Sequence, residues 1–152
     1  AVPGLRLGYC VLPPSWAERL EAERPPWSVN AAAQAAVRVA CDPSVTSFVQ
    51  RSKERLRSDR IFLHEQLEQL GLRVHTSVAP YCLAKLPEPL TATVVRSELL
   101  EQHRVLVRDA TSFCLPGHVR VAARPPEQAL RLVSALRSTL GRSTLGRTRH
   151  GS

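Results

Sequence analysis

Three arginines stand in or beside apolar runs, where arginine is expected to be poorly hydrated. Arg6 lies in Gly4-Leu5-Arg6-Leu7-Gly8-Tyr9, Arg120 lies inside Val119-Arg120-Val121-Ala122, and Arg108 closes Val105-Leu106-Val107. Each is flanked by residues that favour buried strands, so each guanidinium needs a partner other than bulk water. The planar guanidinium fork holds a carboxylate or a phosphate through two parallel hydrogen bonds. Two readings are open at this point. One is an internal salt bridge to an acid such as Asp109. The other is a site for an external anion.

Other chemistry has little support in the residues. The histidines His64, His75, His103, His118 and His150 fall at no metal-ligand spacing, and His64 is expected on the exposed side of a long helix. Cys10, Cys41, Cys82 and Cys114 are widely scattered with no Cys-x-x-Cys pair, so the expectation is small buried thiols and no metal site. No Gly-x-Ser-x-Gly elbow and no Walker-type loop occurs.

The elements that must position the arginines follow from periodicity and punctuation. Leu5–Leu12 reads as a short buried strand stopped by Pro13-Pro14. Ser15 with Glu18 has the capping-box pattern of a helix start, and Ser28 can cap an alanine-rich helix over Asn30–Ala40. Asp42-Pro43 opens a long amphipathic helix whose stripe runs Val45, Phe48/Val49, Ser52, Leu56, Leu63, Leu67, Leu70 and ends at Gly71. After Gly71 the period changes. Strands are expected at Leu72–Thr76, Ala79–Leu86, Arg104–Arg108 and His118–Arg124, with a helix at Thr91–Gln102 and another opened by Pro125-Pro126-Glu127. Such a mixture gives a small α/β sheet with helices on one face.

Composition bounds the function. The chain has 152 residues, 43% apolar and 22% charged, with a formal charge of +8. That is enough apolar residue for a core and excludes a disordered tail. No stretch approaches the roughly 20 apolar residues of a membrane span. Residues 137–152 carry four arginines and no acid, half of the +8, in the repeat Arg-Ser-Thr-Leu-Gly. They read as a basic, disordered low-complexity tail. The run Arg51–Arg60 is broken by acids and reads as a solvated helix face, without the interleaved aromatics that stack on bases. Nucleic acid is therefore not an expected partner, and neither is a membrane.

Taken in order, four landmarks resemble a known family. They are Ala1-Val2-Pro3-Gly4-Leu5-Arg6-Leu7-Gly8-Tyr9, then Pro26-Trp27-Ser28-Val29-Asn30, then Val105-Leu106-Val107-Arg108-Asp109-Ala110-Thr111-Ser112-Phe113, then His118-Val119-Arg120-Val121-Ala122-Ala123-Arg124. Together they resemble the C-terminal part of fold-type I pyridoxal-phosphate-dependent aminotransferases (class I/II) of the histidinol-phosphate aminotransferase group. The Trp-Ser-Val-Asn and Arg-Asp-x-Thr-Ser-Phe strings most resemble the threonine-phosphate decarboxylases of cobalamin biosynthesis. The resemblance covers about residues 1–136. Cys114 departs from it, standing where glycine or proline is expected.

The resemblance implies roles. Arg6 matches the arginine that contacts the phosphate of pyridoxal phosphate. Arg120 matches the arginine that grips the substrate carboxylate, and Arg108 matches a second anion-binding arginine. The implied fold is α/β. Residues 1–42 are expected to be a remnant of the large cofactor-binding domain, 43–136 a small domain with a mostly antiparallel sheet, and 137–152 the tail. The implied substrate is a small amino-acid phosphate, the implied assembly a homodimer and the implied location cytoplasmic. The family's catalytic lysine would lie a few residues before Ala1. Lys53, in the charged helix, and Lys85, in a strand, lack its context. The expectation is a piece of a threonine-phosphate decarboxylase-like enzyme, with no catalytic residue of its own. The alternatives are a histidinol-phosphate-type aminotransferase, or a non-catalytic truncated remnant.

Overall fold

The computed structural model describes residues 3–145. Its contacts divide the chain into two compact units, Ala1–Arg51 and Ser52–Ser152.

The first unit holds helices α1 (Pro14–Glu23) and α2 (Ala31–Ala40). The expected strand over Leu5–Leu12 is absent. A 3-10 turn covers Pro3–Leu5, and the rest is irregular, with Tyr9 94% and Val11 87% exposed. A strand needs a neighbour to satisfy its backbone, and this unit offers none. The capping assignments also change. Pro13 and Pro14 open α1 with no side-chain cap, so Ser15 lies inside the helix. Asn30, not Ser28, caps α2 by accepting from the Ala33 amide at 2.8 Å. The Asn30 amide reaches back to the Leu5 carbonyl at 3.3 Å. Ala33 is the one buried residue between Gly4 and Arg51.

Helix α3 (Thr46–Gln69) crosses the division between the units. Asp42 caps the 3-10 turn that precedes it. Of the expected stripe, Phe48 and Leu56 are exposed, and Leu63 and Leu67 are fully buried. Gly71 ends the helix as expected. It sits at φ 80°, in the left-handed region glycine tolerates. The Gly71 amide bonds the Glu68 carbonyl at 2.8 Å and the Leu72 amide bonds Leu67 at 3.2 Å, the paired closure of a Schellman motif.

The second unit is a four-stranded antiparallel sheet covered by helices. The strands are β1 (Arg73–Val74), β2 (Tyr81–Lys85), β3 (Arg108–Asp109) and β4 (His118–Ala122), in the order β1-β2-β4-β3. Alternation sends Cys82, Ala84, Val119 and Val121 inward. They meet Leu63 and Leu67 of α3, Val95 and Leu99 of α4 (Ala92–His103), and Leu132 and Leu136 of α5 (Pro126–Leu145) in one core. Thr91 caps α4 through the Val94 amide.

Three further expectations are corrected here. The strand over Arg104–Arg108 shrinks to Arg108–Asp109, because the Arg104 and Val105 amides close α4 onto Leu100 and Leu99. Among the cysteines only Cys82 is buried; Cys10, Cys41 and Cys114 are exposed. Burial pushes the Cys82 thiol up, against the opposing charge of Arg60.

The third correction concerns the tail. Residues 137–145 are not a disordered extension but the last turns of α5; residues 146–152 lie outside the described residues. Thr139 continues the buried face of that helix, and Leu140 packs against the core. The first repeat unit places Thr139 and Leu140 on one helical stripe with the preceding Leu136, which is why it folds. Arg142 then reaches Glu98 of α4 at 2.8 Å. Arg142→Ala should cost only about 0.2–1 kcal/mol, as a part-exposed ion pair does. Thermal melts at low and high salt check this: the difference from the parent should shrink as salt screens the pair.

Candidate functional site

Arg108 and Arg120 face each other directly across β3 and β4. Both point away from the helix layer, because the inward positions of β4 are Val119 and Val121. Two like charges placed directly opposite in a sheet repel. The structure offsets this with aromatic faces. The Arg108 guanidinium lies 5.6 Å and that of Arg120 5.7 Å from the Phe113 ring centroid, and Arg120 also lies 5.0 Å from the ring of Tyr81. Phe113 is delivered by the 3-10 turn Thr111–Phe113, which closes with Cys114 in the left-handed region at φ 60°. Cys114 therefore occupies the position where glycine would be unstrained.

No carboxylate pairs with either guanidinium among the described residues. Arg108 donates to the Ser112 hydroxyl at 3.0 Å and keeps the rest of its fork. The internal salt bridge to Asp109 does not form. Asp109 accepts from the Thr93 hydroxyl at 2.7 Å and from the Thr111 amide at 2.7 Å instead. It thereby ties the turn that carries Phe113 to the start of α4. Arg96, Arg108, Asp109, Thr111 and Ser112 line a cleft of about 270 Å³. Thr111 and then Thr93, as donors to the carboxylate, hold the Asp109 pKa down at about 2.

That depression has a consequence for acid stability. A folded pKa below the ordinary value contributes stability that is present above about pH 4 and is lost as pH falls through about 2. Thr93→Val removes one donor. The Asp109 carboxyl carbon, followed by NMR, should then titrate at higher pH, and the acid limb of stability should begin earlier. An unchanged midpoint would remove Thr93 from this role.

Arg6 belongs to the first unit. It is exposed, with φ 53°, and has no ion pair among the described residues. Lys85 Nζ lies 3.4 Å from Glu88, and Lys53 is exposed on α3. No group of three or more metal-ligating side chains occurs among the described residues. No helix among them is long and apolar enough to cross a membrane. One contact was not foreseen from the sequence: His75 and His118 meet with their Nε2 atoms 3.2 Å apart.

The family model for aminotransferase class I and II matches residues 1–136. The chain belongs to that family. Among its aminotransferase relatives, histidinol-phosphate aminotransferase of Symbiobacterium thermophilum is 38% identical over 91% of this chain and 37% of its own length. Among solved structures, L-threonine-O-3-phosphate decarboxylase of Porphyromonas gingivalis is 31% identical, with a TM-score of 0.74 over 92% of this chain and 43% of that one. Histidinol-phosphate aminotransferase of Clostridium acetobutylicum shares the fold, with a TM-score of 0.79 at 24% identity over 93% of this chain and 43% of that one. The chain thus spans well under half the length of these aminotransferase-family proteins.

The family implies pyridoxal phosphate. The residues present fit one end of that group. Arg6, exposed and with no ion pair among the described residues, is a side chain that could meet a phosphate. The carbonyl end needs an amine held in a built site, and neither lysine offers one, since Lys85 stands on the outer face of the sheet and Lys53 on an open helix face.

Proposed function

We propose that this chain is the part of a pyridoxal-phosphate-dependent enzyme that binds an amino-acid phosphate, most like threonine-phosphate decarboxylase. The observation that carries the reading is the pair Arg108 and Arg120, side by side and with no carboxylate partner among the described residues. A substrate with a carboxylate and a phosphate offers one anion to each fork. Arg120, between the Tyr81 and Phe113 rings, takes the carboxylate. Arg108, steadied by Ser112, takes the phosphate. Arg6 takes the phosphate of the cofactor. When bound, the cofactor withdraws electrons from the substrate's α-carbon. The arginines bind and orient, so that the bond to be broken is held in one direction.

The second reading is amino transfer from histidinol phosphate or a similar compound, and it is favoured by the 38% identity to the Symbiobacterium enzyme. Histidinol phosphate has a phosphate but no carboxylate, so it would leave one of the two forks unfilled.

Product analysis separates the two. The protein isolated from its own cells is incubated with O-phospho-L-threonine and pyridoxal phosphate. Release of carbon dioxide with aminopropanol phosphate is the expected result. Transfer of the amino group to an oxo acid, with histidinol phosphate as donor, would favour the second reading. Neither product would sink both.

A further inference from the structure

The outer face of the sheet repeats the like-charge pattern at a second place. Arg73 of β1 is directly opposite Lys85 of β2, and Lys85 is directly opposite His118 of β4. Three adjacent strands thus carry three cationic or protonatable side chains in one row. Residues in register share a face, so all three project from the side opposite the helices. His75 joins them: its amide bonds the Leu83 carbonyl at 2.9 Å, and its Nε2 meets that of His118 at 3.2 Å. At that separation one ring donates to the other, so at most one facing nitrogen holds a proton. His118 Nδ1 is buried with no hydrogen-bond partner among the described residues.

The neighbouring groups compensate this charge only in part. The acid within reach is Glu88, which comes from the loop after β2, lies 3.4 Å from Lys85 and is 85% exposed in its side chain. So exposed a pair contributes little. Burial first, then His75, Lys85 and Arg73, hold the His118 pKa below its ordinary value. The row is therefore electrostatically strained as it stands. An anion would relieve it. Beside the row a cleft of about 330 Å³ is lined by Gly71, Arg73, Lys85, Leu86, Pro87 and Glu88, which gives an anion room. The Arg73 guanidinium and the Lys85 ammonium both line that cleft, and the His118 imidazole stands next in the row. A phosphate near neutral pH carries between one and two negative charges, so it offsets such a row better than a singly charged carboxylate.

We propose that Arg73, Lys85 and His118, with His75 at their side, form a second anion site that binds a phosphate group, free or as a monoester. It is distinct from the Arg108–Arg120 pair. Alternation along β4 puts His118 and Arg120 on the same outer face, but they belong to different cross-strand rows: His118 lies in line with Lys85 and Arg73, and Arg120 with Arg108. The inference does not rest on the proposed enzyme activity.

The test uses the whole chain and NMR of the imidazole carbons. Added inorganic phosphate should raise the titration midpoint of His118 by about 0.5 pH unit or more, saturably, where chloride at equal ionic strength does not. The exposed double variant Arg73→Ala/Lys85→Ala should abolish the effect, and Arg120→Ala should leave it intact. Glycerol phosphate, titrated in the Arg120→Ala background, shows whether a monoester binds more tightly than the free ion. The proposal is overturned if chloride reproduces the rise, if the double variant keeps it, or if Arg120→Ala removes it. The last outcome would mean that phosphate acts from the Arg108–Arg120 site.

Discussion

Arg120→Ala should weaken binding of O-phospho-L-threonine by roughly 10- to 150-fold. The figure follows from the loss of charge-assisted hydrogen bonds worth about 1.5–3 kcal/mol. Arg120 is half-buried between two rings, so its fork is oriented before any ligand arrives. Pre-orientation is what makes the loss large, because little side-chain entropy remains to be spent on binding. Arg120→Lys should recover only part of the affinity, since an ammonium keeps the charge but not the two-pronged geometry. Isothermal titration with the parent chain and both variants measures all three values. Equal affinity for the parent and the alanine variant would remove Arg120 from the site.

The second large effect concerns the core that holds the sheet in place. Leu136→Ala should destabilise the second unit by about 2–5 kcal/mol, the usual range for emptying a fully buried leucine site. Leu136 is 0% exposed and packs in the core with Leu63, Leu99 and Val119. For a unit of this size that should lower the melting temperature by roughly 10 °C or more. Leu130→Ala is the control, since Leu130 lies on the same helix but is 48% exposed. It should change stability by no more than about 0.5 kcal/mol. Thermal denaturation followed by circular dichroism reads both. Equal effects would mean that α5 does not bury the face described.

Local signals carried much of the second unit. Gly71 and Thr91 end and begin helices where their chemistry says they should. The alternation in Tyr81–Lys85 and His118–Ala122 gives the strands and their inward residues. Where the reading failed, a non-local partner decided. Leu5–Leu12 has strand composition but no strand beside it. Val105 has strand composition, but its amide is used to close α4. The repeat over 137–145 looks like low complexity, yet it presents Thr139 and Leu140 at helical spacing to a core that only the fold assembles.

The site divides in the same way. That Arg108 and Arg120 would take partners other than bulk water was legible from their flanking residues. That they stand directly opposite each other was not, because register depends on how β3 and β4 pair. The role of Asp109 was open for the same reason, since Thr93, on another element, competes for its carboxylate. His75 follows β1 and His118 opens β4, two strands that are not neighbours, and no sequence spacing encodes their contact.

The central claim is that Arg108 and Arg120 together receive the two anions of one substrate. The direct measurement is an NMR titration of the chain with O-phospho-L-threonine, observing the arginine side-chain Nε–H groups and the Phe113 ring. The account predicts saturable shifts of Arg108, Arg120 and Phe113 with a common midpoint. Shifts absent from these residues, or confined to Arg73, Lys85 and His118, would contradict it.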